Sequence, residues 1–197
     1  TNDQTLIFSG TAEAGLTVTV TLKDAGNAVV FTTSVVATGG NWSVDRTAAA
    51  ALANGTYTLT ASTTDLASNT TTASQAITID TNAPGQNGDG TAPAITAITN
   101  DSGTAGDFIT NDQTLIFNGT AGAGDVVTVK LDGVTLGTAT ANGAGVWSYD
   151  YTGTTIANGT YTLAASTTDI AGNTATASQA ITIDTNAPGQ NGDGTAP

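Results

Sequence analysis

Two segments of this chain repeat one another almost letter for letter, and that repeat restricts its possible folds more than any other feature. TNDQTLIFSGTA at Thr1 returns as TNDQTLIFNGTA at Thr110, and NGTYTL at Asn54 returns at Asn158. TASQAITIDTNAPGQNGDGTAP at Thr72 returns unchanged at Thr176. The spacing is 109 residues early in the repeat and 104 late, so the second copy is five residues shorter in its middle. A period of this length exceeds that of solenoid repeats, so each copy is expected to bury a core of its own. The 197 residues therefore divide into domains at 1–80 and 94–184, a linker at 81–93 and the start of a further linker at 185–197.

Within each copy, apolar residues alternate with threonine at the period of a strand. In LTVTVTL, Leu16, Val18, Val20 and Leu22 fall on one face, and Thr17, Thr19 and Thr21 on the other. Further strand patterns occur at Leu6–Phe8, Ala28–Val36, Trp42–Val44, Tyr57–Ala61 and Ala73–Ile79. The second copy supplies Leu115–Phe117, Val127–Leu131, Val134–Ala141, Trp147–Tyr151, Tyr161–Ala165 and Ala177–Ile183, with Asp132-Gly133 as a shorter turn. Ala48–Ala53 is too short to stand alone as a helix. Many short strands, with turns roughly every eight to twelve residues, predict an all-β chain of two antiparallel sandwiches. Trp42, Trp147, Tyr57 and Tyr161 are expected in the cores. Ala94–Thr99, a further strand candidate, precedes the second copy only, so the first domain is expected to lack an opening strand and the chain to be part of something longer.

Composition removes several functions. The net charge is −13, with fifteen aspartates, one glutamate (Glu13) and only Lys23, Arg46 and Lys130 to oppose them. No basic patch exists to meet nucleic-acid phosphate or an anionic membrane surface. No apolar run approaches the length of a membrane-spanning helix. Without cysteine or histidine there is no disulfide, no Ser-His-Asp or Cys-His arrangement and no ordinary zinc site. Gly85–Gly90 lacks the lysine and helix of a phosphate loop, and nothing marks a carboxylate pair for glycosidase chemistry, so no enzyme activity is expected.

The aspartates are concentrated. Asp80 to Asp112 holds Asp80, Asp89, Asp101, Asp107 and Asp112 without one lysine, arginine, histidine or glutamate. Carboxylates this dense repel one another unless a cation lies among them, and oxygen donors alone suit a hard ion such as Ca²⁺. The competing account is a turn aspartate that caps backbone amides. That account suits Asp24, Asp45, Asp125, Asp132 and Asp150, which stand singly. Asp89 and Asp193, each in N-G-D-G, are open to both accounts.

The segment DSGTAGDFITNDQTLIFNGTAGAG, Asp101 to Gly124, resembles the bacterial immunoglobulin-like repeats of giant RTX adhesins of the biofilm and ice-binding type. The D-T-x-A-P linkers at Asp80 and Asp184, Asn41-Trp42-Ser43, A-N-G-T-Y-T-L at Ala157 and T-T-D-I-A-G-N at Thr167 extend the resemblance over nearly the whole chain. The first copy departs at Ser68 and lacks the D-S-G…G-D part. The resemblance implies tandem immunoglobulin-like sandwiches in an elongated arrangement, serving as a monomeric piece of an extender on the bacterial surface, exported by type I secretion. It implies Ca²⁺ held by Asp80, Asp184, Asp101, Asp107, Asp112, Asp3, Asp65 and Asp169, with neighbouring identical domains as partners in the same chain. In such a sandwich Asp169 would lie near the 80–93 linker, and Asp101, Asp107 and Asp112 near Asp184. An alternative is a ligand-binding domain for carbohydrate or ice through the row Thr17, Thr19 and Thr21. The second copy has Val126, Thr128 and Lys130 there, so no regular threonine array repeats.

Overall fold

The computed structural model describes residues 1–187; the end of the expected linker at 185–197, with Asp193, lies outside them. The described residues form two compact units, one built on Thr1–Thr81 and the other on Asn82–Asp169 with Asn173 onward. Among the described residues, no helix is long and apolar enough to cross a membrane.

The first unit contains β1 (Ile7–Thr11), β2 (Thr17–Asp24), β3 (Val29–Val36), β4 (Asn41–Asp45), β5 (Gly55–Thr64) and β6 (Thr70–Ile79). A four-stranded sheet in the order β3-β2-β5-β6 faces the pair β1-β4. The alternation in β2 decides which face turns inward. Val18, Val20 and Leu22 are buried, and they pack with Phe8, Trp42 and Val44 from the smaller sheet. Each such fully buried side chain stabilises by about 1.5–3 kcal/mol relative to exposure. The outer threonines satisfy one another across the strands, Thr19 with Ser34 at 3.1 Å and Thr21 with Thr32 at 3.2 Å.

The second unit contains β7 (Ala94–Ile98), β8 (Ile109–Thr110), β9 (Ile116–Thr120), β10 (Val126–Leu131), β11 (Val134–Thr140), β12 (Val146–Asp150), β13 (Gly159–Thr168) and β14 (Thr174–Ile183). The sheets run β11-β10-β13-β14-β8 and β12-β9-β7. Between them lie Phe117, Trp147, Val127, Val129, Leu163 and Ile181, none more than 1% exposed. The β10–β11 hairpin turns through Asp132 and Gly133, both at positive φ (46° and 80°), the two-residue turn that matches strand twist. This turn accounts for most of the residues that the second copy lacks.

Two features differ from expectation. The strands are longer than their apolar cores, because flanking threonines and glycines still pair; β5 and β13 each run ten residues. β8, which no periodicity could reveal in two residues, pairs parallel with β14 through Thr182↔Ile109 and Ile183↔Thr110. The 48–53 stretch is irregular but not idle. Leu52 is buried, and its carbonyl accepts a 2.7 Å bond from Gln4, as Ile156 does from Gln113 at 3.0 Å. Trp42, Trp147 and Tyr57 are core residues, while Tyr161 is partly buried against the second core.

Candidate metal centre

The aspartates divide by what their oxygens already hold. Four turns share one arrangement, in which an aspartate stands two positions before a threonine: Asp3-Thr5, Asp45-Thr47, Asp112-Thr114 and Asp150-Thr152. Each time, one carboxylate oxygen accepts both the backbone N–H and the hydroxyl of that threonine, at 2.6–3.0 Å. This closes the turn beside β1, β4, β9 and β12 of the smaller sheets. Asp3 and Asp112 thus share the turn geometry of Asp45 and Asp150. Asp112 uses its other oxygen as well, accepting from Asn100 at 2.7 Å.

Asp65 and Asp169 organise the loops after β5 and β13. Asp65 accepts from Ala67 N at 2.8 Å, Asn69 N at 2.8 Å and Asn69 Nδ2 at 2.9 Å. Asp169 accepts from Asn173 N and Nδ2, both at 2.9 Å. The D-x-A-x-N pattern therefore encodes a carboxylate clamped by an asparagine four residues on. The first loop also tolerates Ser68 in place of glycine, at φ 67°.

Hydrogen bonding from Asn69 holds the Asp65 carboxyl below its ordinary value of 3.8. The Thr47, Thr114 and Thr152 bonds do the same for Asp45, Asp112 and Asp150. A carboxyl whose folded pKa is depressed contributes stability above its unfolded value and loses it as pH falls through the folded value. The urea midpoint is therefore expected to fall as pH drops below 3.8, with a smaller fall in Asp65→Asn, followed by circular dichroism. An unchanged midpoint between pH 5 and 2.5 would remove this role.

The linker is itself folded. Asp89 N donates to Gln86 O at 2.8 Å, Gln86 N to Ala83 O at 2.9 Å, and Asn87 Nδ2 to Asn82 Oδ1 at 3.0 Å. A Cβ on Gly85 would lie 2.6 Å from the Ala92 side chain, so the turn closes on its own far end. Within the second unit this turn brings an Asp89 carboxylate oxygen within 4.8 Å of one from Asp169. Two like charges at that separation cost about 1–3 kcal/mol near a protein surface.

The D-S-G…G-D loop is arranged differently. Asp101 Oδ2 accepts from Gly106 N at 2.6 Å, while Oδ1 is shut off from solvent with no hydrogen-bond partner. Asp107 accepts from Ile109 N at 2.9 Å. Asp184 N donates to Thr110 O at 2.9 Å, which brings this loop's end beside the start of the second D-T-N-A-P segment. Among the described residues, no three of Asp101, Asp107, Asp112 and Asp184 converge to within 4.8 Å. Asp80 N donates to Thr1 O at 2.9 Å.

A family model for the bacterial Ig-like domain matches residues 1–81 and again residues 90–185. The chain belongs to the bacterial Ig-like domain family. This bacterial Ig-like chain is also similar to several solved structures. One is a tetra-tandem repeat in the extending region of a large adhesion protein, 23% identical at TM-score 0.36, covering 94% of this chain and 47% of that one. Another is a 1.5-MDa bacterial ice-binding adhesin, 26% identical at TM-score 0.45, covering 92% and 58%. A third is a Ca²⁺-stabilized adhesin with which an Antarctic bacterium binds ice, 27% identical at TM-score 0.45, covering 92% and 44%. The chain spans about half the length of these structures. No curated protein matches it.

The donors in this bacterial Ig-like chain fit a hard divalent cation. They are all oxygens, one Asp101 oxygen is buried without a partner, and Asp89 and Asp169 are held together against their charge. Asn54 and Asn158 were not legible as anchors. Asn54 Oδ1 accepts from Thr81 N at 3.1 Å and Oγ1 at 2.8 Å, and Asn158 accepts from Thr185 Oγ1 at 3.0 Å. The signal was present in the recurrence of A-N-G-T with D-T-N-A-P, but only the fold brings the two motifs together.

Proposed function

We propose that this chain is a calcium-stiffened extender segment of a large bacterial surface adhesin, projecting an adhesive region away from the cell in biofilm formation or surface attachment. The observation that carries the reading is the folded linker, which places Asp89 against Asp169 within a duplicated sandwich. A tether meant to swing freely would not need asparagine-locked turns at its root. Asp89 and Asp169 form the first proposed set, and Asp101, Asp107, Asp112 and Asp184 the second; Asp80, at the head of the linker, is a further proposed ligand. Asp3 and Asp65 are supporting positions whose oxygens also close turns. Bound Ca²⁺ would favour the ordered linker by mass action and supply the positive charge these carboxylates lack. The partners are then calcium and the neighbouring domains of the same chain, the location is extracellular, and no catalysis is involved.

Calorimetry with and without chelator tests this. One site at a hundred times its Kd adds about 2.7 kcal/mol, or roughly 10–20 °C in a domain of this size. Asp89→Asn is expected to lose much of that gain and, in chelator, to melt somewhat above the parent, because its repulsion with Asp169 is relieved. Identical melts in calcium and chelator would sink the metal reading. Saturable binding of a glycan or of ice by this chain would instead assign it an adhesive role.

A further inference from the structure

The two units protect the same edge of the larger sheet differently. β3 and β11 are the outer strands there, and among the described residues each pairs with one neighbour only, β2 or β10. An open edge strand presents a row of unpaired backbone groups to any other chain. β11 carries three devices against this. A bulge falls in its middle, opposite Val129 and Lys130, and leaves Leu136 without a partner in the ladder. The Tyr149 hydroxyl donates to the Leu136 carbonyl at 2.8 Å, so that acceptor is already taken. Gly137 gives the tyrosine room, since a Cβ there would lie 2.7 Å from the same hydroxyl.

β3 has none of these. Val44 stands where the second unit has Tyr149, and Thr33 where it has Gly137. The β3 bulge lies at the start of the strand, beside Lys23, so Phe31 to Val36 run in unbroken register. That run, FTTSVV, holds no charge, proline or glycine, and Val29, Val30 and Val36 are exposed. Its free backbone groups can be assigned. Ala37 N donates to Leu16 O, and Ala37 O accepts from Gly15 N, so Ala37 turns both groups toward β2. By alternation Val35, Thr33 and Phe31 do the same, while Thr32, Ser34 and Val36 turn theirs outward.

We propose that β3 pairs, antiparallel and across a two-fold axis, with β3 of a second copy of this chain. Self-complementarity selects that occupant. With Thr33 on the axis, Thr32 meets the second copy's Ser34, Phe31 its Val35 and Val30 its Val36. Hydroxyl then faces hydroxyl, and apolar faces apolar. Within the chain these hydroxyls already bond across strands, Ser34 to Thr19 and Thr32 to Thr21. A net charge of −13 on each copy opposes any contact, and the run from Phe31 to Val36 carries none of it. Salt should therefore strengthen the pairing, the reverse of a contact held by ion pairs. One strand edge is a small interface, so the association is transient.

Sedimentation of the intact chain in chelator, over rising protein concentration and salt, tests this. We expect reversible exchange between monomer and dimer that tightens with salt and needs no calcium. Ser34→Pro removes an outward N–H that the β2–β3 ladder does not use, and is expected to abolish the dimer. Proline can also disturb the fold, so Ser34→Lys is measured beside it, with an expected weakening of about tenfold or more. Lysine lowers the repulsion between copies, so such a weakening cannot come from net charge. Thr138→Lys, at the matching place on β11, is expected not to weaken the dimer. Because the chain has no cysteine, Thr33→Cys reads the register. Across the axis its two Cα atoms would lie about 4.5 Å apart, within reach of a disulfide. Mild oxidation is expected to link the copies through Thr33→Cys and far less through Ser34→Cys. A chain that stays monomeric at every concentration and salt, or a dimer that ignores Ser34→Lys, would overturn the proposal. So would equal weakening by Thr138→Lys, or equal cross-linking through the two cysteine variants.

Discussion

Trp147→Ala is expected to lower the stability of the second unit by about 3–5 kcal/mol, the range for removing a fully buried large aromatic. Trp147 is 1% exposed, lies between the two sheets among Phe117, Val127 and Leu163, and donates its indole N–H to Thr120 O at 3.1 Å. Alanine would leave a cavity that β7 and β9 cannot close and would strip that carbonyl of its partner. Trp42→Ala should cost about 1–2 kcal/mol less, because Trp42 already lines an open groove and is 8% exposed. The two tryptophans make the experiment self-controlled. In Trp147→Ala the remaining fluorescence comes from Trp42 and should keep its urea transition, while circular dichroism shows the second unit unfolding early. Equal losses for the two substitutions would mean that the groove is not open.

Gly119→Ala is expected to be the second most damaging change, at about 3 kcal/mol or more. A Cβ there would overlap both the Ala94 carbonyl oxygen and the Trp147 indole. The first is backbone of a paired strand and the second is locked in a filled core, so neither can yield without detaching β7. The atoms nearest a Cβ on Gly10 are those of the Trp42 ring, at 2.7–2.9 Å, and that ring borders open space. We expect about 1–2 kcal/mol for Gly10→Ala. The contrast is measurable by calorimetry as a large fall in one transition and a small fall in the other. A Gly119→Ala protein that melts like the parent would show that β7 does not lie where Ile95 faces Gly119.

Much of this was legible because it is local. The alternation in LTVTVTL names the buried face of β2 without any knowledge of its neighbours, and Asp132-Gly133 names its turn, since few other residues accept two successive positive φ angles. β8 was not legible, because a two-residue strand has no period and exists only through its pairing with β14. The aspartates were half legible. Their density along Asp80 to Asp112 showed that carboxylates had been gathered, but density cannot show which oxygens are already committed. Asp3 and Asp112 look like ligands in a list of acids and close turns like those of Asp45 and Asp150 in the fold.

The sequence by itself determined the duplication, the all-β class, the buried faces and the absence of histidine and cysteine chemistry, because each follows from residue type and short-range spacing. The tertiary structure decided which acids meet. Asp89 and Asp169 are eighty residues apart and share a neighbourhood only because a turn locked by Asn82, Gln86 and Asn87 closes against the β13–β14 loop. The difference between the two nearly identical surfaces, one covered by Ala94–Ile98 and one open along β1, was by contrast expected from the sequence, because Ala94–Thr99 precedes the second copy only. Which acids converge could not be expected in that way, since a meeting across eighty residues belongs to the fold and not to any local pattern.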